Sequence, residues 1–159
     1  MGYTHYFGHK KTAKKKWASI VDDCKKLQAN LPKTILIDGC SAFPKPQFDG
    51  EQILFNGTDK GFTWKQHQNS ACGLEKYPEN GHETFLLKQK GIGGFPFCKT
   101  ARKPYDLMVC ACLLVYKHHS PDTMELGSDG DSEDWADAEK FVEKHLGYTV
   151  KFKEVNDNE

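Results

Sequence analysis

A cluster of cations stands immediately before the most apolar stretch of the chain. Lys99, Arg102 and Lys103, together with Thr100, precede an uncharged run from Leu107 to Tyr116. The run predicts a buried helix, and a helix N-terminus presents unpaired N–H groups and a partial positive charge that attract anions. Arginine offers phosphate a planar fork of donors, whereas lysine offers a point charge. The sequence therefore predicts a phosphate or carboxylate site around residues 99–103, although a solvated basic loop would show the same composition.

Aromatic, imidazole and hydroxyl side chains can complete such a site. Tyr105 is placed to stack on a base or to cover a sugar. Strand alternation puts Tyr3 and His5 on one face of an N-terminal strand and Tyr6 on the other. Half-buried strand residues have the same pattern, so a structural role stays open for these three. Ser128 and Asp129 can line a pocket by binding ribose hydroxyls.

Two adjacent histidines, His118 and His119, end the same predicted helix. Consecutive helical residues point about 100° apart, so the pair is poorly placed to hold one metal ion, and a histidine near a helix C-terminus is favoured by the helix dipole. The helix separates them from Lys103 by roughly 22 Å. They therefore serve a second site, meet a ligand across a subunit interface, or are structural.

No motif in the sequence indicates a nucleophile, a cofactor or a metal. The chain has no GxSxG, Walker A, GxGxxG or HExxH pattern. The acidic segment 129–134 superficially resembles a calcium loop, but it lacks the ligand order of such loops, and Lys140 stands where the bidentate glutamate belongs. Acidic residues in the first turn of a helix explain it better. We expect no metal and no cofactor.

The distribution of charge and the cysteines indicate which partners and which cellular compartment to expect. Residues 1–120 carry 18 Lys/Arg against 10 Asp/Glu, and residues 121–159 carry 4 against 12, so the net charge is zero. Either the two parts neutralise each other in one domain, or a basic face binds a partner. The six cysteines form no CxxC pair and follow no apolar leader, which predicts reduced thiols in the cytoplasm, without a membrane span. Zero net charge disfavours nucleic acid as a partner.

Periodicity predicts a single α+β domain over 1–159, with a frayed tail at 155–159. Helices are expected at 12–29 with Thr12 as the cap, at 104–118, and from Asp131 or Ser132 to Leu146 with Gly147 as the stop. Strands are expected at 3–7, 34–37, 52–55, 61–65, 83–89, 123–126 and 148–155, the one at 61–65 being optional. The three helices pack on a mostly antiparallel sheet of five to six short strands, with the second helix buried.

Several segments together resemble a family of small proteins found in phages and prophages. The likeness spans nearly the whole chain, in the segments GYTHY (2–6), FNG (55–57), ETF (83–85), FCKTARKPYD (97–106), KHH (117–119), SDG (128–130) and LGY (146–148). The family often has Trp where Phe7 stands here. A small phage protein with a cationic pocket and aromatic neighbours looks like anti-defence proteins that sequester or destroy nucleotide immune signals. This step is an analogy.

Three functions follow as hypotheses. The first is a cytoplasmic sponge, in the host cell if phage-encoded, that binds and sequesters a phosphorylated nucleotide-derived signal, with a homo-oligomer expected. The second is a phosphodiesterase-like enzyme that cleaves such a signal, using histidines as acid and base. The third is a nucleic-acid or protein interaction module that uses the lysines of the first helix. The candidate ligand-binding residues are Tyr3, His5, Tyr6, Asn56, Lys99, Thr100, Arg102, Lys103, Tyr105, His118, His119, Ser128 and Asp129.

Overall fold

The computed structural model describes residues 2–64 and 78–153. Within them, the helices are α1 (Lys14–Ala29), α2 (Asp106–His119) and α3 (Ser132–Leu146). The strands are β1 (Thr4–His9), β2 (Ile37–Asp38), β3 (Gln47–Phe48), β4 (Gln52–Gly57), β5 (Phe85–Lys88), β6 (Phe97–Lys99) and β7 (Met124–Ser128). The described residues thus form an α+β fold with three helices and seven strands, which confirms the predicted class and comes close to the predicted number of strands.

The strands form two antiparallel sheets that share one core. In the first, β1 lies between β6 and β7 and places His5 opposite Cys98 and Ser128. In the second, β4 pairs with β2, β3 and β5. The rings of Phe7 and Phe85, with centroids 5.3 Å apart, connect the two sheets. Aromatic burial therefore joins them into one hydrophobic core.

The second helix lies at the centre of the molecule, as its composition predicts. Every residue of α2 from Met108 to Tyr116 is buried, and both α1 and α3 pack against it. A helix that is apolar on all sides must be covered on all sides. In contrast, α1 buries only one stripe, which includes Trp17, Ile20 and Leu27. The lysines of α1 at 14–16 and 25–26 are exposed.

The third helix begins and ends where its sequence signals predict. The carboxylate of Asp131 accepts hydrogen bonds from the backbone N–H groups of Glu133 and Asp134, and the Asp134 carboxylate accepts one from the N–H of Asp131. This reciprocal capping box supplies partners to N–H groups that a helix start leaves unpaired. At the other end Gly147 adopts φ 79°, a left-handed conformation that glycine adopts without strain.

Several predicted boundaries were wrong. Thr12 does not cap α1, because the Thr12 hydroxyl lies 2.5 Å from the Tyr116 hydroxyl. The N-cap residue of α1 is Ala13. The strand expected at 34–37 begins only at Ile37. Residues 61–64 are not a strand, and Lys65 lies outside the described residues. Residues 97–99 form β6, which the sequence did not predict.

The strand predicted at 148–155 is also absent from its described part, 148–153. Val150 and Phe152 are buried there without strand pairing. The Phe152 ring stacks on Trp135 with centroids 4.3 Å apart. Alternating apolar residues therefore pack into the core here, although none of the described strands pairs with them. The predicted frayed tail at 155–159 lies outside the described residues.

Candidate functional site

A cavity of about 270 Å³ lies where the segment before α2 meets α3. Its wall includes Tyr3 from the N-terminal segment, the turn that precedes α2, the first turns of α2, and α3. The charged side chains that line it are Arg102, Lys103, Asp106, Asp134 and Asp137. Two cations and three carboxylates therefore face one small space, so the cavity is not the purely cationic pocket that the sequence predicts.

The turn before α2 has an unusual backbone. Ala101 and Arg102 have φ 52° and 58°, a left-handed region that L-residues other than Asn and Asp seldom occupy. Backbone hydrogen bonds hold this turn, because the N–H groups of Thr100 and Ala101 both donate to the carbonyl of Tyr3, at 3.1 and 3.2 Å. The turn therefore places Arg102 and Lys103 in succession at the cavity wall.

The start of α2 does not offer the free N–H groups on which the predicted anion site depends. The helix begins at Asp106 rather than at Pro104. The N–H groups of Asp106 and Met108 donate to the carbonyls of Lys103 and Tyr105, at 2.9 and 3.0 Å. Because a tight turn leads into the helix, these donors already have backbone acceptors. Side chains rather than helix N–H groups must therefore hold any anion in the cavity.

Arg102 lies on the Tyr3 ring and pairs with Asp134. The guanidinium carbon is 4.0 Å from the ring centroid, and Nη1 donates to Asp134 Oδ1 at 2.7 Å. This hydrogen bond raises the pKa of Arg102 and lowers the pKa of Asp134. The Arg102 side chain is 61% exposed, so solvent screens the pair and its contribution to stability is small. An anion can compete for Arg102 at little cost.

Two charged side chains of the cavity have no partner among the residues that the structure describes. The side chains of Lys103 and Asp137 line the cavity and make no hydrogen bond or ion pair with the described residues. Lys103 stands on the turn before α2 and Asp137 on the exposed side of α3. A cation and a carboxylate are thus available to a ligand from opposite elements of the wall.

A buried histidine lies behind the cavity. The side chain of His5 is fully buried; its Nε2 is 2.6 Å from Asp106 Oδ1, and its Nδ1 is 2.8 Å from Ser128 Oγ. The Thr100 hydroxyl donates to the same Asp106 oxygen at 2.5 Å. Cys110 Sγ lies 3.4 Å from His5 Nε2. Two donors, His5 and Thr100, thus bind Oδ1 of Asp106. Asp106 is also one of the residues that line the cavity.

Burial changes the acid–base behaviour of the groups around His5. Burial, followed by the charge of Asp106, raises the pKa of the Cys110 thiol well above its ordinary value. Burial and the same carboxylate raise the pKa of Tyr3. Desolvation disfavours the ionised form of both groups. At neutral pH Cys110 is therefore a thiol and Tyr3 a phenol.

Six of the predicted site residues are brought together. Tyr3, Arg102 and Lys103 line the cavity. The other three are His5, Thr100 and Ser128, which contact Asp106 or each other behind it. Tyr3 directly precedes β1, and its ring lies on the same side as that of His5, with centroids 5.0 Å apart, in agreement with the predicted placement.

Tyr6 and Asp129 lie elsewhere. The Tyr6 hydroxyl donates to Asp129 Oδ1 at 3.3 Å, and the Tyr6 ring is 5.5 Å from that of the exposed Phe95. The other oxygen of Asp129 accepts from the backbone N–H of Thr4. Neither residue lines the cavity. Alternation along β1 places Tyr6 on the face opposite to His5, and Asp129 contacts Tyr6 and the Thr4 backbone there.

Lys99, Asn56 and Tyr105 also fall outside the cavity lining. The Lys99 backbone pairs in β6 with β1. The Asn56 amide donates to the His82 carbonyl at 2.8 Å, so this side chain holds a turn. Tyr105 is fully buried and donates to the Glu83 carbonyl at 2.6 Å. The Tyr105 ring therefore belongs to the core and is not presented to the cavity, and its role in stacking on a ligand stays a prediction.

The two histidines occupy the far end of α2. His119 Nε2 is 2.7 Å from Asp23 Oδ2, and the His118 ring stacks on Tyr148 with centroids 3.7 Å apart. Tyr148 donates to the same Asp23 oxygen at 2.8 Å. These contacts join α1, α2 and the C-terminal segment. The structure therefore separates both histidines from the cavity and gives them packing partners.

Four residues of the cavity wall that carry a carboxylate or a thiol are not among the candidates predicted from the sequence. They are Asp106, Cys110, Asp134 and Asp137. One signal was available, because Asp106 and Cys110 are four apart and so share a helix face. Asp134 instead has the sequence pattern of a capping residue, and Asp137 that of an exposed helix face.

The fold and the cavity define an α+β protein with a small, charged pocket, in which the wall residue Asp106 is hydrogen-bonded to a buried histidine. Comparison with protein-family models, with curated proteins and with solved structures finds no match to this chain. Among the described residues, no helix is long and apolar enough to cross a membrane.

Proposed function

We propose that this protein binds a small phosphorylated molecule of the nucleotide type in the cavity. The observation that carries the proposal is the pair of unpartnered charges, Lys103 and Asp137, on opposite sides of it. Lys103 suits a phosphate, and Asp137 suits the hydroxyls of a ribose or the amino group of a base. A ligand with both kinds of group satisfies both charges at once, whereas inorganic phosphate would face three carboxylates.

The aromatic wall supports the same class of ligand. The cavity itself, at about 270 Å³, lies just below the range of about 300–1,000 Å³ that is typical of small-molecule sites. Tyr3 and the Arg102 guanidinium stacked on it present a flat surface. If a phosphate group of the ligand displaced the Asp134 carboxylate from Arg102, the guanidinium would still have an anionic partner for a charge-assisted hydrogen bond.

We propose sequestration as the biological role, in keeping with the resemblance to small phage proteins. A phage protein that holds a nucleotide immune signal in the host cytoplasm removes it without chemistry. A homo-oligomer stays a prediction, and light scattering of the purified protein measures it directly. Use of the α1 lysines to contact nucleic acid stays a prediction too.

A second candidate, an enzyme that cleaves such a ligand, is favoured by one observation. Asp106 lines the cavity while His5 and Thr100 both hydrogen-bond its Oδ1. A carboxylate held in this way is oriented to accept a proton from water or from a ligand hydroxyl. His5 would position it, since the imidazole is buried behind it.

One experiment separates the two functions. The protein is incubated with a panel of cyclic nucleotides and ADP-ribose-type nucleotides, then heat-denatured, and the supernatant is chromatographed. Recovery of the intact nucleotide supports sequestration, and recovery of a cleaved product supports the enzyme. Failure to bind any member of the panel contradicts both.

Matched variants locate the binding site. Lys103→Ala and Arg102→Ala each remove a cation from the cavity wall, whereas Lys99→Ala removes one outside it. We expect at least tenfold weaker binding in calorimetry for the first two, since a lost charge-assisted bond costs about 1.5–3 kcal/mol. We expect unchanged binding for Lys99→Ala. Equal affinities for all three would place the ligand elsewhere.

A further inference from the structure

Three potential metal ligands converge behind the cavity. His5, Asp106 and Cys110 each offer one ligand atom, and these atoms all lie within 4.8 Å of one another. We propose that they bind a divalent transition-metal ion of the zinc class through His5 Nε2, an Asp106 carboxylate oxygen and Cys110 Sγ. The proposal rests on these three side chains alone, so it does not depend on the proposed nucleotide binding.

The distances around Cys110 fit tetrahedral coordination. Its Sγ is 3.4 Å from His5 Nε2 and 3.5 Å from Asp106 Oδ2. Zinc bonds of about 2.3 Å to sulfur and about 2.0–2.2 Å to nitrogen or oxygen place tetrahedral ligands roughly 3.5 Å apart. His5 Nε2 and Asp106 Oδ1 are closer, at 2.6 Å, because they share a hydrogen bond. An ion would replace that bond, and a small rotation of the carboxylate would open the gap.

The three ligands come from regular elements that hold them in place. His5 stands on β1, the central strand of its sheet, and Asp106 and Cys110 stand four apart on one face of α2. Ser128 Oγ lies 2.8 Å from His5 Nδ1. If Nε2 binds the ion, Nδ1–H donates to Ser128, which sets the tautomer and the ring orientation as in known metal sites.

The choice of ion follows from the ligand types. Binding of the ion would release the Cys110 thiol proton to solvent, because a divalent metal deprotonates a coordinating thiol. The resulting thiolate, together with imidazole, favours zinc and its neighbours over magnesium or calcium, which take oxygen ligands. Three protein ligands leave a fourth tetrahedral position, the arrangement of catalytic rather than structural zinc sites. Asp106 and Cys110 both line the cavity, so a molecule in the cavity can approach that position.

Cobalt(II) spectroscopy tests the thiolate ligand directly. Protein stripped with a chelator is titrated with Co²⁺, and then Zn²⁺ is added to displace it. We expect one ion per chain, a thiolate-to-cobalt charge-transfer band, and its loss when Zn²⁺ is added. Cys110→Ser should abolish the band and weaken Zn²⁺ binding at least a hundredfold in calorimetry. Cys112→Ser should leave both unchanged, since Cys112 is equally buried on α2 but outside the cluster.

A measurement on the wild-type protein guards against variants that do not fold. Zinc-edge X-ray absorption of the zinc-loaded chain should show one sulfur neighbour at about 2.3 Å together with nitrogen or oxygen neighbours. Absence of zinc binding, or a shell of nitrogen and oxygen alone, would overturn the proposal. A Cys110→Ser protein that folds and keeps the cobalt band would overturn it as well. None of these readouts depends on a nucleotide.

Discussion

The Nε2 atom of His5 lies 2.6 Å from Oδ1 of Asp106, although 101 positions separate the two residues along the chain. The contact joins the central strand of one sheet to the first residue of the central helix. Asp106 also faces the cavity. The same pair therefore supports the fold, and its carboxylate forms part of the polar wall of the candidate site.

Replacement of Asp106 by Asn tests how much this pair contributes to the stability of the fold. The amide removes the charge that faces the buried imidazole and leaves the Thr100 hydroxyl with a weaker acceptor. We expect the free energy of unfolding to fall by about 1–3 kcal/mol. Urea denaturation measures it. Asp137→Asn, on the same cavity wall but without a partner in the described part of the chain, should change stability by less than about 0.5 kcal/mol. Equal effects of the two substitutions would contradict this assignment.

The buried His9 predicts a loss of stability in mild acid. Its Nδ1 is 3.1 Å from the Lys10 carbonyl oxygen, and its Nε2 has no hydrogen-bond partner within residues 2–64 and 78–153. Burial lowers the pKa of His9 below the ordinary 6.5. The unfolded chain therefore binds a proton at a pH where the folded chain does not. Stability should fall as pH drops below about 6.5 and level off below the folded-state pKa.

Denaturation of His9→Gln over a pH series provides the comparison. Glutamine does not ionise and can still donate to the Lys10 carbonyl, so its stability should depend less steeply on pH than that of the wild type. Some slope should remain, because burial, and then the charge of His119, lower the pKa of His118 as well. An unchanged slope in His9→Gln would remove His9 as the cause.

Asp23 anchors the C-terminal end of α2. It accepts hydrogen bonds from His119 at 2.7 Å and from the Tyr148 hydroxyl at 2.8 Å. Asp23→Ala leaves both donors unpaired and should lower the free energy of unfolding by about 1–3 kcal/mol. The adjacent, exposed Asp22 provides the matched control, and Asp22→Ala should have little effect. Thermal denaturation of the two variants under the same conditions decides, and a larger loss in Asp22→Ala would reject the assignment.

Gly57 stands at a close approach between segments. A Cβ built on it would lie 2.1 Å from the Asn80 carbonyl oxygen and 2.6 Å from the Tyr105 ring. Gly57→Ala must therefore displace backbone or a buried ring, and overpacking of this kind costs about 1–3 kcal/mol. At Gly50 a Cβ would meet nothing within 4 Å, so Gly50→Ala should be nearly neutral. Chemical denaturation curves of the pair test the difference.

The sequence alone determined the features that depend on near neighbours. A local pattern suffices to predict where α3 begins and ends, because the cap at Asp131 and the stop at Gly147 involve only the adjacent helical turn. The burial of α2 likewise follows from its own apolar composition. Alternation along the N-terminal segment likewise predicted that Tyr3 and His5 point to the same side, where their ring centroids are 5.0 Å apart. The local signal failed at Thr12, because a contact with the distant Tyr116 gives its hydroxyl a buried partner. Tyr105 is likewise held by a distant segment, through the Glu83 carbonyl.

Only the tertiary structure decided which side chains meet at the cavity. The register that places His5 opposite Ser128 orients the imidazole, and a slip of one residue would turn it to the other face of the sheet. The packing of α2 and α3 then brings Asp134 and Asp137 to the segment that carries Arg102 and Lys103. These contacts join residues far apart in the chain, and register and helix packing set their geometry, so no local pattern in the sequence encodes them.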